Sequence, residues 1–166
     1  MKKIAILIGL VLLLYVLQTS FLPLFAVHGV SPDLMLLLTV SFAFLRGVRE
    51  GALMGFAVGL LQDLSTGTFL GVNAFTRLLI GLVCGSFSDR VFKEQFFLPI
   101  MASVAATIAN YFILVLLMLL LGYRFDLVHH MGYILIPMLI YQLAFAYPVH
   151  RLAYALDKKL SEKYEG

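Results

Sequence analysis

The chain has 166 residues, of which 62% are hydrophobic and 13% are charged, and its mean hydropathy is +1.01. Soluble domains are about 45–50% apolar and about 25% charged. Of the 21 charged residues, thirteen lie within residues 4–156. This composition excludes a soluble enzyme, a nucleic-acid-binding domain and a disordered chain. It indicates a small integral membrane protein with a net charge of +3. In such a protein the positions of Lys and Arg indicate first of all how the chain is oriented in the membrane.

The lengths of the uncharged stretches predict where the chain crosses the membrane, since a helix needs about 20 apolar residues to span the hydrocarbon core. Three stretches without Asp, Glu, Lys or Arg are long enough, namely residues 4–32, 95–123 and 127–150. Between the first two, residues 33–46 and 49–64 form either two minimal spans or one re-entrant hairpin. The hairpin would place the charged turn at Arg46–Glu50 near the bilayer centre, at about 2.5–3.5 kcal/mol per charge. Two spans are therefore favoured.

The resulting prediction is a single transmembrane domain over 1–166, an all-α bundle of six helices. The predicted helices cover about 4–22, 33–46, 49–64, 72–89, 96–121 and 131–155. The first is interpreted as an uncleaved helix, and the tail 156–166 continues the last one. With six spans, ten Lys and Arg residues fall on the side of the two termini and one, Arg124, on the other. This bias predicts a plasma-membrane protein with both termini in the cytoplasm.

Glycines recur every fourth residue along the third helix and the turn before it, a spacing that lets another helix approach closely. The fourth helix repeats the pattern. The glycines concerned are Gly47, Gly51, Gly55 and Gly59, followed by Gly81 and Gly85. The pattern indicates either packing within the bundle or a docking face for the transmembrane helix of a partner.

Polar residues cluster near the outer ends of the third and fourth helices: Gln62, Asp63, Asn73 and Arg77. Because an intramembrane charge normally finds a partner, Asp63 and Arg77 are predicted to form an ion pair. The pair either closes the loop between the two helices or forms the floor of a site for a ligand or partner.

Catalytic and metal-binding patterns are not apparent in the sequence. His129, His130 and Asp126 form the one cluster that resembles a metal site, but adjacent histidines on a helix point about 100° apart. The predicted spans contain no acid, base and nucleophile set. We therefore expect no enzymatic activity, no metal and no cofactor.

One segment carries a family resemblance. It begins Pro32-Asp33-Leu34, continues from Arg46 as R-G-x-x-E-G-A-x-x-G-F-x-x-G-L-x-x-D to Asp63, and ends in a glycine-rich turn. The segment resembles the rod shape-determining protein MreD family over about residues 32–85, with Val48 where that family often has proline. The resemblance marks as motif residues Pro32, Asp33, Arg46, Glu50, Gly67 and Gly71.

The resemblance implies a non-enzymatic component of the bacterial cell-elongation machinery. Its expected direct partner is the bitopic protein MreC, within a complex that includes MreB, RodA and a class B penicillin-binding protein; membrane lipid is expected around it, and nucleic acid is not. The family fold is similar to the substrate-binding subunits of energy-coupling-factor transporters. The alternative function is accordingly a membrane subunit that binds a small, vitamin-type ligand.

Overall fold

The computed structural model describes residues 2–26, 29–67, 70–90, 97–124, 126 and 131–164. These form an all-helical bundle in which, as expected, six α-helices account for the architecture. They are α1 Lys2–Val16, α2 Leu34–Arg46, α3 Val48–Thr66, α4 Val72–Gly85, α5 Phe97–Leu120 and α6 Ile136–Tyr164. A π-helical turn at Leu17–Phe21 and a 3-10 turn at Leu22–Phe25 extend α1, and a π-helical turn at Met131–Leu135 precedes α6.

Among the described residues, three helical segments are long and apolar enough to cross a membrane: Ile4–Phe25, Phe97–Leu120 and Met131–Glu162. Helices α2 and α4 are apolar but shorter, with 13 and 14 residues. Large apolar side chains also cover the exterior, with Leu24, Leu120 and Ile140 at least 65% exposed. Such a surface is stable in lipid and not in water, so the protein is a membrane protein.

The end of α4 differs from the predicted bound. Helix α4 ends at Gly85 rather than 89, because the N–H groups of Ser86 and Phe87 turn back to carbonyls of the last helical turn. A 3-10 turn then covers Ser88–Arg90. Helix α6 runs to Tyr164, so it includes most of the tail predicted to continue it.

Helix α2 is the centre of the bundle. Every residue from Leu34 to Leu45 is buried, and α2 contacts α1, α3, α4, α5 and α6. A helix that is apolar on all sides is stable in the interior of a protein. The hydroxyl of Thr39 donates to the Met35 carbonyl at 2.9 Å, so this polar group is satisfied within the helix.

Helix α3 lies antiparallel to both α2 and α4, and glycines make the close approach possible. Gly47, with φ of +89°, is the single residue between α2 and α3. A Cβ added to Gly55 would lie 2.7 Å from the carbonyl carbon of Arg77 on α4 and 2.9 Å from Cγ2 of Thr39 on α2. Backbone thus contacts backbone along the α3–α4 interface.

We predict that Gly55→Ala destabilises the folded protein, because the new methyl group overlaps the α4 backbone and overpacking costs about 1–3 kcal/mol. The measurement is the thermal unfolding midpoint in detergent. Gly9→Ala on α1 is the matched control, since a Cβ there meets nothing within 4 Å. Equal midpoints for the two variants would contradict the close approach of α3 and α4.

Candidate functional site

The N-terminal end of α2 is buried, so its free backbone N–H groups need acceptors other than water. The carboxylate of Asp33 caps the helix, with Oδ1 accepting from the N–H of Leu36 at 3.0 Å. Gln18, in the π-helical turn after α1, supplies a second acceptor, and its Oε1 accepts from the N–H of Met35 at 3.1 Å. Two buried side chains therefore replace water at this helix end.

The second oxygen of the cap binds a buried arginine. Nη2 of Arg77 on α4 donates to Oδ2 of Asp33 at 2.6 Å, and Arg77 has no exposed surface. Gln142, fully buried on α6, donates from Nε2 to the backbone carbonyl of Asp33 at 3.3 Å. Asp33 thus connects α2 to α4 and α6, and together with Gln18 these residues form what we call the Asp33 cluster.

The polar groups of the Asp33 cluster could form more hydrogen bonds than they do. Within the described part of the chain, Nε and Nη1 of Arg77 and Oε1 of Gln142 are buried without a hydrogen-bond partner. The bond from Nη2 to Asp33 is therefore the contact on which the buried charge of Arg77 depends. Removing one partner of a buried ion pair typically costs about 3–5 kcal/mol.

The other end of α2 is also held by an ion pair. Nε of Arg46, the last residue of α2, contacts Oδ1 of Asp157 on α6. The Asp157 side chain is largely buried, at 8% exposure. Because Asp157 begins the run of charges that ends α6, the Arg46–Glu50 turn lies level with the charged end of the bundle rather than with its middle.

Asp63 caps the N-terminus of α4 from the end of α3. Oδ2 accepts from the N–H groups of Gly71 and Ala74, at 2.9 and 3.0 Å. Oδ1 accepts from the backbone N–H and the side-chain Nδ2 of Asn73, at 3.1 and 2.9 Å. The carboxylate is buried, and four hydrogen bonds at a helix N-terminus stabilise its negative charge.

The predicted pair of Asp63 with Arg77 is therefore wrong. Opposite charge and similar depth suggested it, but the N-terminus of α4 satisfies Asp63 completely. Arg77 lies five residues after the first residue of α4, about 7.5 Å further along the axis. Its side chain reaches α2 instead and pairs with Asp33.

The remaining predicted residues lie around these two caps. Gly67 ends α3 with φ of +65° and donates to the Asp63 carbonyl, while Gly71, with φ of +100°, precedes α4. Both adopt the left-handed conformation that favours glycine. Pro32 is buried next to Asp33. Gln62 is partly buried, and its Oε1 has no hydrogen-bond partner in the described part of the chain.

The glycines predicted as a packing or docking face lie between helices of this chain. Five are buried, and each contacts a neighbouring backbone in the α3–α4 interface: Gly51, Gly55, Gly59, Gly81 and Gly85. Gly47 is half-buried, and Glu50 is exposed in the first turn of α3, where the helix dipole favours an acid. Helix α4 thus covers the face that a partner helix would need.

Sequence reasoning missed three members of the polar network. Gln18 and Gln142 are isolated amides in apolar helices, and Asp157 lies in the charged tail that continues the last helix. The useful signal was the intramembrane position of the two amides, because a polar group in hydrocarbon needs a partner. That signal does not identify which helix provides the partner.

The geometry of these sites is suited to holding helices together. Both oxygens of Asp33 and of Asp63 accept hydrogen bonds from the protein, so neither carboxylate presents a free oxygen to a substrate. Within the described residues, no three His, Cys, Asp or Glu side chains form a group that could hold a metal. His129 and His130 lie outside the described residues.

Two apolar grooves open between helices. The first, of about 480 Å³, lies between α1 and α3, with Arg46 and Glu50 at one end and Ala57 in its wall. The second, of about 430 Å³, lies between α4 and α5 and includes Ala105 and Cys84. We call them the α1–α3 groove and the α4–α5 groove. Their walls suit acyl chains or apolar helices better than polar ligands.

Fold and site together define a small all-helical membrane protein whose buried charges fasten its own helices. The family model described as rod shape-determining protein MreD matches residues 1–159, and the chain belongs to this family. Its members take part in rod shape determination. No curated protein and no solved structure matches the chain.

We predict that Asp33 and Arg77 are energetically coupled. Asp33→Asn and Arg77→Gln should each strongly lower the unfolding midpoint in detergent, whereas the double variant should lose less than the sum of the two. The reason is that a single change strands a buried charge, and the double change removes both. Additive losses would contradict the pair.

The same double-mutant cycle run with Asp63→Asn in place of Asp33→Asn is the control. Asp63 contacts α4 through its N-terminal N–H groups and not through Arg77. The decreases in unfolding midpoint caused by Asp63→Asn and by Arg77→Gln should therefore add.

Proposed function

We propose that the protein is a non-enzymatic membrane scaffold of the cell-elongation machinery that binds MreC and helps to organise peptidoglycan synthesis. The observation that carries the proposal is the family match over residues 1–159 of the 166. MreB, RodA and a class B penicillin-binding protein are the further members proposed for the same complex.

The site geometry supports a scaffold rather than an enzyme. The buried carboxylates Asp33 and Asp63 are occupied by helix N-termini and by Arg77. The α1–α3 and α4–α5 grooves are lateral and apolar, and MreC, as a bitopic protein, has a single transmembrane helix to place there. Ala105, on the exposed side of α5, leaves room for close helix packing.

For topology we propose six spans with both termini in the cytoplasm. Ten Lys and Arg residues lie on the side of the two termini and one lies on the opposite side, and this bias supports the orientation. The Arg46–Asp157 pair supports two short spans over a re-entrant hairpin, because it holds the turn after α2 at the charged end of α6. Helix α2 is only about 20 Å long, but it is covered by its neighbours and need not match the bilayer thickness itself.

The alternative is a small-ligand-binding subunit with a fold like that of energy-coupling-factor substrate-binding proteins. A vitamin needs a few convergent polar groups in its pocket. Among the described residues, the α4–α5 groove offers no charged side chain, and the α1–α3 groove offers Arg46, which is paired with Asp157, and Glu50. These grooves therefore favour the scaffold, and co-purification with a paired ATPase and a vitamin would favour the alternative.

We predict that, in a background without Cys84, a cysteine at Glu162 is protected from a membrane-impermeant maleimide in intact cells. A cysteine at Arg124 should be labelled, because that residue is exposed and belongs to the opposite side. Permeabilised cells provide the control for reactivity. Labelling of the Glu162 position from outside would contradict the proposed topology.

We predict that depletion of the protein turns rod-shaped cells round or swollen.

We also predict that filling one groove with a bulky side chain abolishes co-purification of MreC. Ala57→Phe fills the α1–α3 groove and Ala105→Phe the α4–α5 groove. Ala144→Phe, at an exposed alanine of α6 outside both grooves, is the matched control.

Retention of MreC by both groove variants at normal abundance would contradict docking in the grooves. Unchanged cell shape and wall synthesis after clean depletion would contradict the scaffold function itself.

A further inference from the structure

The C-terminal half of α6 carries a positively charged face that the network described above does not use. Most of its members recur at spacings of three or four residues, and they line a shallow surface recess of about 600 Å³. The recess is lined chiefly by Tyr147, Arg151, Tyr154, Lys158, Lys159 and Glu162. Three cations and one acid give what we call the basic face a net charge of +2.

The rotation of α6 points this face away from the bundle. Ala153 and Leu160, on the opposite side of the helix, are buried at 0% and 3% exposure. Asp157 on that side is held by Arg46 of α2. Arg151, Lys158 and Lys159 are exposed as a result. Because the Asp157 charge is matched by Arg46, it does not neutralise the basic face.

The depth of the face matches the headgroup layer. Helix α6 has 29 residues and is about 43 Å long, whereas the hydrocarbon core is about 30 Å thick. Because its uncharged part ends at His150, we place Arg151 at the edge of the hydrocarbon, with Lys158 and Lys159 about two turns beyond it. Tyr147 accepts a hydrogen bond from Nη1 of Arg151 at 3.4 Å, and tyrosines are typical of this interface.

We propose that the basic face of α6 binds the headgroup of an anionic phospholipid. The phosphate oxygens accept hydrogen bonds from the Arg151 guanidinium and the Lys158 and Lys159 ammonium groups, and the rings of Tyr147 and Tyr154 lie beside the glycerol and upper acyl chain. A zwitterionic lipid has no net charge to match the face, so binding selects anionic lipid. This site is independent of the proposed function.

The test is binding of the full-length, detergent-purified protein to dioleoyl phosphatidylglycerol and to dioleoyl phosphatidylcholine, which share the same acyl chains. Native mass spectrometry counts the lipids retained, and thermal unfolding gives a second readout. The wild type should retain phosphatidylglycerol selectively. The triple variant R151Q, K158Q, K159Q should lose about tenfold or more in apparent affinity for it, with phosphatidylcholine unchanged.

R49Q is the matched control, since Arg49 is an exposed cation at the start of α3, outside the basic face, and it should retain the wild-type preference. A triple variant that keeps the wild-type preference for phosphatidylglycerol would overturn the proposal. An R49Q variant that loses as much affinity as the triple variant would overturn it as well.

Two soluble probes separate other occupants. Stabilisation by inorganic phosphate equal to that by the lipid would assign the site to a free anion and overturn the proposal. Binding of polyglutamate that needs the three cations, without selective lipid retention, would assign it to an acidic protein segment and overturn it likewise.

Discussion

The architecture depends on the burial of α2 together with its N-terminal end. A helix surrounded by others cannot use water to satisfy its terminal N–H groups, so the bundle must supply acceptors. Asp33 and Gln18 do so at the N-terminal end, and Asp33 then requires a cation, which Arg77 provides. Arg46 and Asp157 hold the opposite end. These four charged residues thus hold a short helix at the centre of the bundle.

Close helix packing is the second consequence of that arrangement. Helix α3 follows α2 after a single residue, so α3 must fold back directly against it and against α4. Gly55 and the other interface glycines allow backbone contact that side chains would prevent. Asp63 then fixes the axial position of α4 by binding its first N–H groups. The family motif therefore encodes the relative placement of α2, α3 and α4.

The interior and the exterior of the bundle differ in chemistry. The polar groups at α2 and α4 are directed inward, while the outer surface offers apolar grooves and the basic face of α6. Helix α1 contacts the rest mainly through α2 and its own C-terminal turns, and the Tyr141 hydroxyl donates to the Phe25 carbonyl at 2.7 Å to hold its far end. This leaves the α1–α3 groove open along its length for lipid or a partner helix.

Sequence alone determined the membrane class, the number of helices and most of their bounds, because hydropathy, charge spacing and glycine recurrence act locally along each helix. It also identified Asp63 and Arg77 as special, since charge in hydrocarbon is costly wherever it occurs, and it identified Asp33 through the family motif. The tertiary structure decided which groups meet. Asp63 and Arg77 have opposite charge and adjacent helices, yet Asp63 binds the α4 backbone and Arg77 binds Asp33. That choice depends on the rotation and axial offset of packed helices, set by contacts between residues far apart in the chain.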